Sequence, residues 1–265
     1  MGKNIFDLSG RVALVTGGGG GLGRAFCDGL AEFGADVACV DLAILKAEET
    51  VSLIKKWGHR TLALKADVSQ AEQVDFMVKE TLGRLGAIDI LINNAGITAP
   101  PSKIPDTPVE VWEKVISVDL TGVFFCMRAV LPVMAKQKRG SIINISSIGA
   151  FGATPNPPTP PAYGAAKAGV ITLTRIGAVE NARDGIRVNC IAPGMHNTGL
   201  GTLSDPVQEK ARKQLFQNMI DLSIPMGRQA EPQEIKGLAI YLASDASSFV
   251  TGQVFTEDGG QTALV

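Results

Sequence analysis

The 265 residues include only two tyrosines, two tryptophans and two histidines. The histidines, His59 and His196, lie far apart, and no HExxH occurs. The usual spacings of a zinc site are therefore excluded. The four cysteines, Cys27, Cys39, Cys126 and Cys190, form no CxxC pair and sit among apolar neighbours. That is the pattern of buried thiols in a reducing compartment, not of a disulfide framework. Neither charge sign is in excess: 25 Lys and Arg against 26 Asp and Glu leave a formal charge of −1. No basic footprint for nucleic acid or an anionic membrane is present. The opening MGKNIFDLSG lacks the apolar centre of a signal peptide, and Phe6 stands where myristoylation needs Ser or Thr. No apolar run reads as long enough to span a bilayer. The expectation is a soluble, cytoplasmic protein without metal, nucleic-acid or membrane partner.

What is present is a steady alternation of short β-branched runs and longer amphipathic segments. Strands are expected at Arg11–Thr16, Asp36–Asp41, Thr61–Asp67, Ile88–Asn93, Gly140–Ser146, Ile186–Ala192 and Gly252–Asp258. Helices are expected at Leu22–Phe33, Ala43–Trp57, Ala71–Leu85, Val109–Ala135 and Tyr163–Asn181. Near-continuous apolar strands separated by helices imply a parallel sheet covered on both faces. The predicted fold class is α/β: one doubly wound, Rossmann-type domain with a seven-stranded parallel sheet. Two segments break the rhythm. One is TPNPPTPP, Thr154–Pro161; the other runs over residues 197–227, carries a helix at Val207–Asp221, and reads as a substrate lid.

Between the first strand and first helix stands LVTGGGGGLGRAF. Alone, such a run could be a flexible linker, and its fit to GxGxxG at Gly18, Gly20 and Gly23 is ambiguous in register. Its context is that of a dinucleotide site, where bare backbone and a helix N-terminus meet a pyrophosphate. Asp41 ends the second strand, about 20 residues further on, where a carboxylate accepts ribose hydroxyls and repels a 2′-phosphate. Leu42 follows it, not arginine, and Gly20 supplies no cation. NAD is the expected cofactor.

Tyr163 precedes Lys167 by four residues, with only Gly164, Ala165 and Ala166 between. At that spacing both lie on one helix face. A phenol with a pKa near 10 is a poor proton carrier at neutral pH, and a nearby ammonium favours its phenolate. The strand GSIINISS ends in Ser146 and Ser147, at the sheet edge where open α/β folds bind ligands.

With these motifs the chain resembles the classical short-chain dehydrogenase/reductase family over essentially its whole length. The family's TGxxxGxG is met by Thr16, Gly17, Gly21 and Gly23, its NNAG by Asn93, Asn94, Ala95 and Gly96, and its YxxxK by Tyr163 and Lys167. The resemblance implies Ser147 as catalytic serine. It implies cofactor contacts at Gly17, Gly20, Gly21, Leu22, Gly23, Asp41, Leu42, Asp67, Val68, Asn94, Ala95, Gly96, Tyr163, Lys167, Pro193, Gly194 and Thr198. Asp67 and Val68 would meet the adenine, and Thr198 the cofactor amide. Where the family has asparagine within VNLTG, this chain has Asp119 in VDLTG. By the resemblance, that aspartate could keep the catalytic asparagine's role and add a charge pairing with Lys167, or it could alter the pH dependence.

The implied activity is NAD-dependent interconversion of a secondary alcohol and a ketone. The small-molecule substrate is expected to be a polyol, sugar acid or other small polar alcohol, with a cyclic or steroid alcohol, or a 3-oxoacyl group, as alternatives. An NAD-binding regulatory protein would be the non-enzymatic alternative. His196 and Asn197 read as residues that could meet a polar substrate, as do Gln214, Gln217 and Asn218 in the lid. The resemblance also implies a homotetramer built on the helices Val109–Ala135 and Tyr163–Asn181.

Overall fold

The apolar strand runs are buried on both faces because helices pack on either side of them. The computed structural model describes residues 4–154, 158–198, 214, 217–218 and 220–264. Its strands are β1 (Val12–Thr16), β2 (Asp36–Asp41), β3 (Thr61–Lys65), β4 (Ile90–Asn93), β5 (Gly140–Ile145), β6 (Ile186–Pro193) and β7 (Val254–Glu257). All pair in parallel, in the order β3-β2-β1-β4-β5-β6-β7. Each strand lies within a few residues of its predicted span.

The helices are α1 (Gly21–Glu32), α2 (Ile44–Ile54), α3 (Ala71–Leu85), α4 (Val109–Ile116), α5 (Gly122–Gln137), α6 (Pro161–Asn181) and α7 (Lys236–Ala243). Alternate strand residues feed two cores. One holds Leu14, Leu91, Ile142 and Val188 with Met77, Val130 and Met134. The other holds Val15, Ile92, Ile143 and Ile191 with Phe26, Leu30 and Leu242. A fully buried aliphatic side chain contributes about 1.5–3 kcal/mol of transfer free energy, so the sheet is a rigid platform. The chain reverses direction across it between β1 and β4, the switch point where such sheets bind ligands beyond the strands' carboxyl ends.

The helix expected at Val109–Ala135 runs on to Gln137, with a π-helical turn at Ser117–Thr121 joining α4 to α5. The wider turn contains Asp119, which is fully buried there. The helical run Val109–Gln137 is also long and apolar enough, by length and composition, to cross a bilayer. In this fold it packs against α3, α6, β4 and β5 as a core element.

The proline-rich stretch does enter a helix. Pro160 is the N-cap of α6 and Pro161 its first residue. Proline fits there because its missing N–H would have had no intrahelical partner. Ahead of it, the Thr154 amide donates to Thr159 Oγ1 at 2.9 Å and the Thr159 amide to the Thr154 carbonyl at 3.2 Å. The loop is thus closed at its base; residues 155–157 lie outside the described residues, as does most of the predicted helix Val207–Asp221.

Candidate active site

The glycine loop bridges β1 and α1. Gly17 and Gly21 have φ of +62° and +50°, a region that favours glycine. A Cβ on Gly23 would land on the carbonyl oxygen of Gly17, while one on Gly20 would meet nothing within 4 Å. Gly20 caps α1 without a side chain, and the first turn contains no acidic residue. Free amides and the positive end of the helix dipole therefore face the open side of the loop, as an anion requires. Leu22 is packed into the adjoining core. This cradle fits a dinucleotide pyrophosphate.

Asp41 borders the cradle. Its carboxylate accepts from the Gly19 amide at 3.0 Å and from the Ala43 amide at 2.9 Å. Leu42 beside it is exposed. Two cations that sequence reasoning missed lie close by. Arg24 donates to the Gly19 carbonyl at 2.8 Å and pairs with Glu49 at 3.1 Å, so it braces the loop. Lys46 is exposed, and its Cβ packs beside Gly19.

The NNAG segment holds the loop from below. The amides of Asn94 and Ala95 both donate to Thr16 Oγ1 at 3.1 Å, and Asn94 Nδ2 donates to the carbonyls of Thr16 and Gly17. A Cβ on Gly96 would stand 2.9 Å from Asp119 Oδ2 and 3.3 Å from Lys167 Nζ. Asp67 is occupied locally, accepting from the Ser69 amide and hydroxyl. Burial works against its charge, but these bonds outweigh it and hold the carboxyl below its ordinary pKa. The Val68 side chain is buried toward α5, against Gly122, so only its backbone is left to meet a ligand.

At the ends of β5 and α6 the four predicted catalytic residues come together. Ser147 follows β5, its Oγ accepting from the Gly149 amide at 3.1 Å. A Cβ on Gly149 would lie 3.5 Å from that Oγ and 3.7 Å from the Tyr163 ring. Gly149 thus stands between the serine and the phenol and marks the corner they share. Ser146 is buried and donates to the Lys167 carbonyl at 2.7 Å, tying α6 to the sheet. Lys167 Nζ stands 5.6 Å from the centre of the Tyr163 ring and donates to the Ile145 carbonyl at 3.2 Å.

Asp119 completes the group. Its Oδ1 accepts from the Ile97 amide at 2.8 Å, and its Oδ2 is 3.1 Å from Lys167 Nζ. The Oδ2 contact has ion-pair distance without the alignment of a directed hydrogen bond. Burial disfavours the Lys167 charge, but the Asp119 carboxylate and the Tyr163 phenol more than offset it, so the ammonium is held above its ordinary pKa. The cation is thus permanent at physiological pH. A small cluster of Ala99, Val115, Ala162 and Ala166 packs behind the tyrosine.

Beyond β6 the chain forms a strap over the glycine loop. The Gly194 amide donates to the Glu257 carbonyl at 2.9 Å. Thr198 lies against Gly21, where an added Cβ would come within 3.1 Å of its Cβ. Thr198 therefore borders the cradle, while Gly194 lies against Asp258. His196 does not reach toward a substrate: its ring is 2% exposed and faces Glu257. Asn197 is exposed and donates to Glu231 at 3.4 Å. Gln214, Gln217 and Asn218 are exposed, with Gln214 bonded to Asn218 and Gln217 to Asp221. The rest of the predicted lid, residues 199–213, 215–216 and 219, lies outside the described residues.

Comparison with known proteins agrees with this arrangement. A family model described as enoyl-(acyl carrier protein) reductase matches residues 18–262. Cis-4-hydroxycyclohexanecarboxylate dehydrogenase of Sinomonas cyclohexanicum is 39% identical, over 96% of this chain and 97% of its own. NADP-dependent mannitol dehydrogenase of Alternaria alternata is 40% identical, over 97% and 94%. The crystal structure of levodione reductase superposes with a TM-score of 0.90 or better (0.91), at 35% identity over 97% of this chain and 99% of that one. These relatives are named dehydrogenases and reductases, one of them NADP-dependent, and the chain belongs to the short-chain dehydrogenase/reductase family of oxidoreductases.

Proposed function

We propose that the protein is an NAD-dependent dehydrogenase/reductase that interconverts a secondary alcohol and a ketone. The observation that carries the reading is the corner where Ser147, Tyr163, Lys167 and Asp119 meet beside the glycine cradle. A nicotinamide dinucleotide held by the glycine cradle would supply hydride exchange with the substrate carbon. In the oxidative direction the Tyr163 phenolate takes the hydroxyl proton while the Ser147 hydroxyl orients the same oxygen. Lys167 keeps a fixed positive charge beside the phenolate, and Asp119 keeps that ammonium charged and in place. In reduction Tyr163 returns the proton to the carbonyl oxygen.

The substrate is proposed to be a small polar alcohol, either a polyol or a sugar acid; the mannitol dehydrogenase relative supports that class. A cyclic hydroxy acid is the second reading, favoured by the hydroxycyclohexanecarboxylate dehydrogenase relative. Nicotinamide absorbance followed against polyols, sugar acids, cyclic alcohols and the matching ketones, with NAD and NADP, tests both. Turnover confined to acyl thioesters would overturn them.

NAD is proposed because Asp41, rigidly held by two amides, puts a negative charge at the ribose side of the cradle. Replacing Asp41 with serine is expected to cost NAD at least about tenfold in kcat/KM and to narrow its advantage over NADP. If the unmodified enzyme already prefers NADP, the reading of Asp41 fails and the exposed Lys46 is the residue to replace next.

A tetramer is proposed from Phe124 on α5 and Ile176 and Val179 on α6, all exposed apolar side chains. Val179→Glu is expected to lower the mass seen by light scattering. A wild-type monomer would sink this assembly.

A further inference from the structure

We infer that His196 and Glu257 form a buried ionic latch that fixes the strap Pro193–Thr198 over the glycine loop, so that His196 is a positioning residue for dinucleotide binding. The inference rests on the proposed contact between that strap and the dinucleotide.

The geometry of the ring carries it. His196 Nδ1 lies 3.2 Å from the Gly194 carbonyl oxygen, and Nε2 lies 3.6 Å from Glu257 Oε1. Both nitrogens thus face oxygens that can only accept. A neutral imidazole has one donor, so one nitrogen lone pair would oppose an oxygen; only the imidazolium can serve both. Nε2 and Glu257 Oε2 have no hydrogen-bond partner, and the ring is closed off from solvent. Charge pairing is what remains to hold them together.

Among the other charged groups near the ring, Glu234 favours its cation, while Arg228, which pairs with Glu234, carries the opposite sign. Glu231 and Glu234 flank the strap from the turn that leads into α7, with Glu234 gripped by Arg228 at 2.7 and 2.8 Å. Asp258, next to Glu257, is engaged by Thr262 and Gly260. Burial opposes the charge on His196, yet the Glu257 carboxylate and the Gly194 carbonyl outweigh it and hold its pKa above the ordinary value.

The latch is coupled to the cradle by short links. The Asn197 amide donates to the Ala230 carbonyl at 2.9 Å, the Ala230 amide to the Met195 carbonyl at 3.0 Å, and the Thr198 amide to the His196 carbonyl at 2.9 Å. Thr198 then lies against Gly21. Movement of the ring is passed within two residues to the loop.

The sign of the pH effect follows. The ion pair is intact while the imidazole is protonated, and it is lost as pH rises through the folded-state value. Dinucleotide affinity therefore falls from mildly acidic to mildly alkaline pH. Titration of NADH fluorescence, with NADPH in parallel, is expected to show binding about fivefold weaker at about pH 9 than at about pH 6. In His196→Gln the profile should be flat and near the alkaline value. Because the chain has two histidines, proton NMR of the imidazoles, with His59→Gln for assignment, reads the latch directly. The His196 signal should titrate above the free-histidine value of about 6.5 and return toward it in Glu257→Gln.

Superimposable binding profiles for wild type and His196→Gln would overturn the latch if Thr198→Ala still weakens binding. If Thr198→Ala also leaves binding unchanged, the strap does not touch the dinucleotide, and it is the underlying reading that fails.

Discussion

Replacing Tyr163 with phenylalanine is expected to lower kcat about a thousandfold while leaving dinucleotide binding nearly unchanged. The substitution removes one oxygen and leaves the ring that packs against Ala162 and Ala166 and stands 5.6 Å from Lys167 Nζ. The fold and the cradle have no reason to change. What is lost is the proton carrier, and no other group of suitable chemistry stands at that point: Ser147 is a poor acid, and Lys167 is buried against Asp119 and the Ile145 carbonyl. Stopped-flow or steady-state absorbance gives kcat, and NADH fluorescence gives binding. A loss of less than about tenfold would mean that another residue transfers the proton.

Replacing Asp119 has two consequences that can be measured separately. Lys167 is almost fully buried and Asp119 is its counter-charge at 3.1 Å. Removing one member of a buried pair leaves the other uncompensated, at a cost of about 3 kcal/mol or more. Asp119→Ala is therefore expected to lower the thermal midpoint markedly. Asp119→Asn should be milder, since its oxygen can still accept from the Ile97 amide. Lys167 has a raised pKa, so the pair stabilises the fold below the ordinary lysine value of about 10.4 and loses that contribution only as pH rises through the folded value.

The catalytic consequence has the opposite character. In Asp119→Asn the Lys167 charge is no longer offset by a carboxylate, and its full field acts on the phenolate of Tyr163. The acid limb of the oxidation profile should move down by about one pH unit. A limb that moves up instead would mean that Lys167 loses its proton without Asp119, and that the aspartate's main task is to keep it charged.

Much of this was legible in the residues. Strands such as Val12–Thr16 and Ile186–Pro193 are mainly apolar and buried, with Thr16 and Asn189 as buried polar exceptions, and a run of that kind reads the same in a string as in a sheet. Helix α3 begins and ends where expected because Gly86 follows it in the left-handed conformation. Helix α6 begins two residues ahead of its expected start at Tyr163, because Pro161 fits the first helical position.

Local pattern thus determined the sheet, the glycine loop, and the facing of Tyr163 and Lys167, since each depends on neighbours within a few residues. Only the tertiary structure decided the rest. The resemblance raised a pairing of Asp119 with Lys167, but its geometry came from the fold: a π turn holds Asp119 buried with Oδ2 3.1 Å from Lys167 Nζ. Arg24 is spent on Glu49 across two helices. His196 reads in the sequence as a candidate substrate contact, and the end of β7 gives it Glu257 as its partner. Pairs of this kind depend on distance and burial in the folded molecule, where a charge out of water must find its partner.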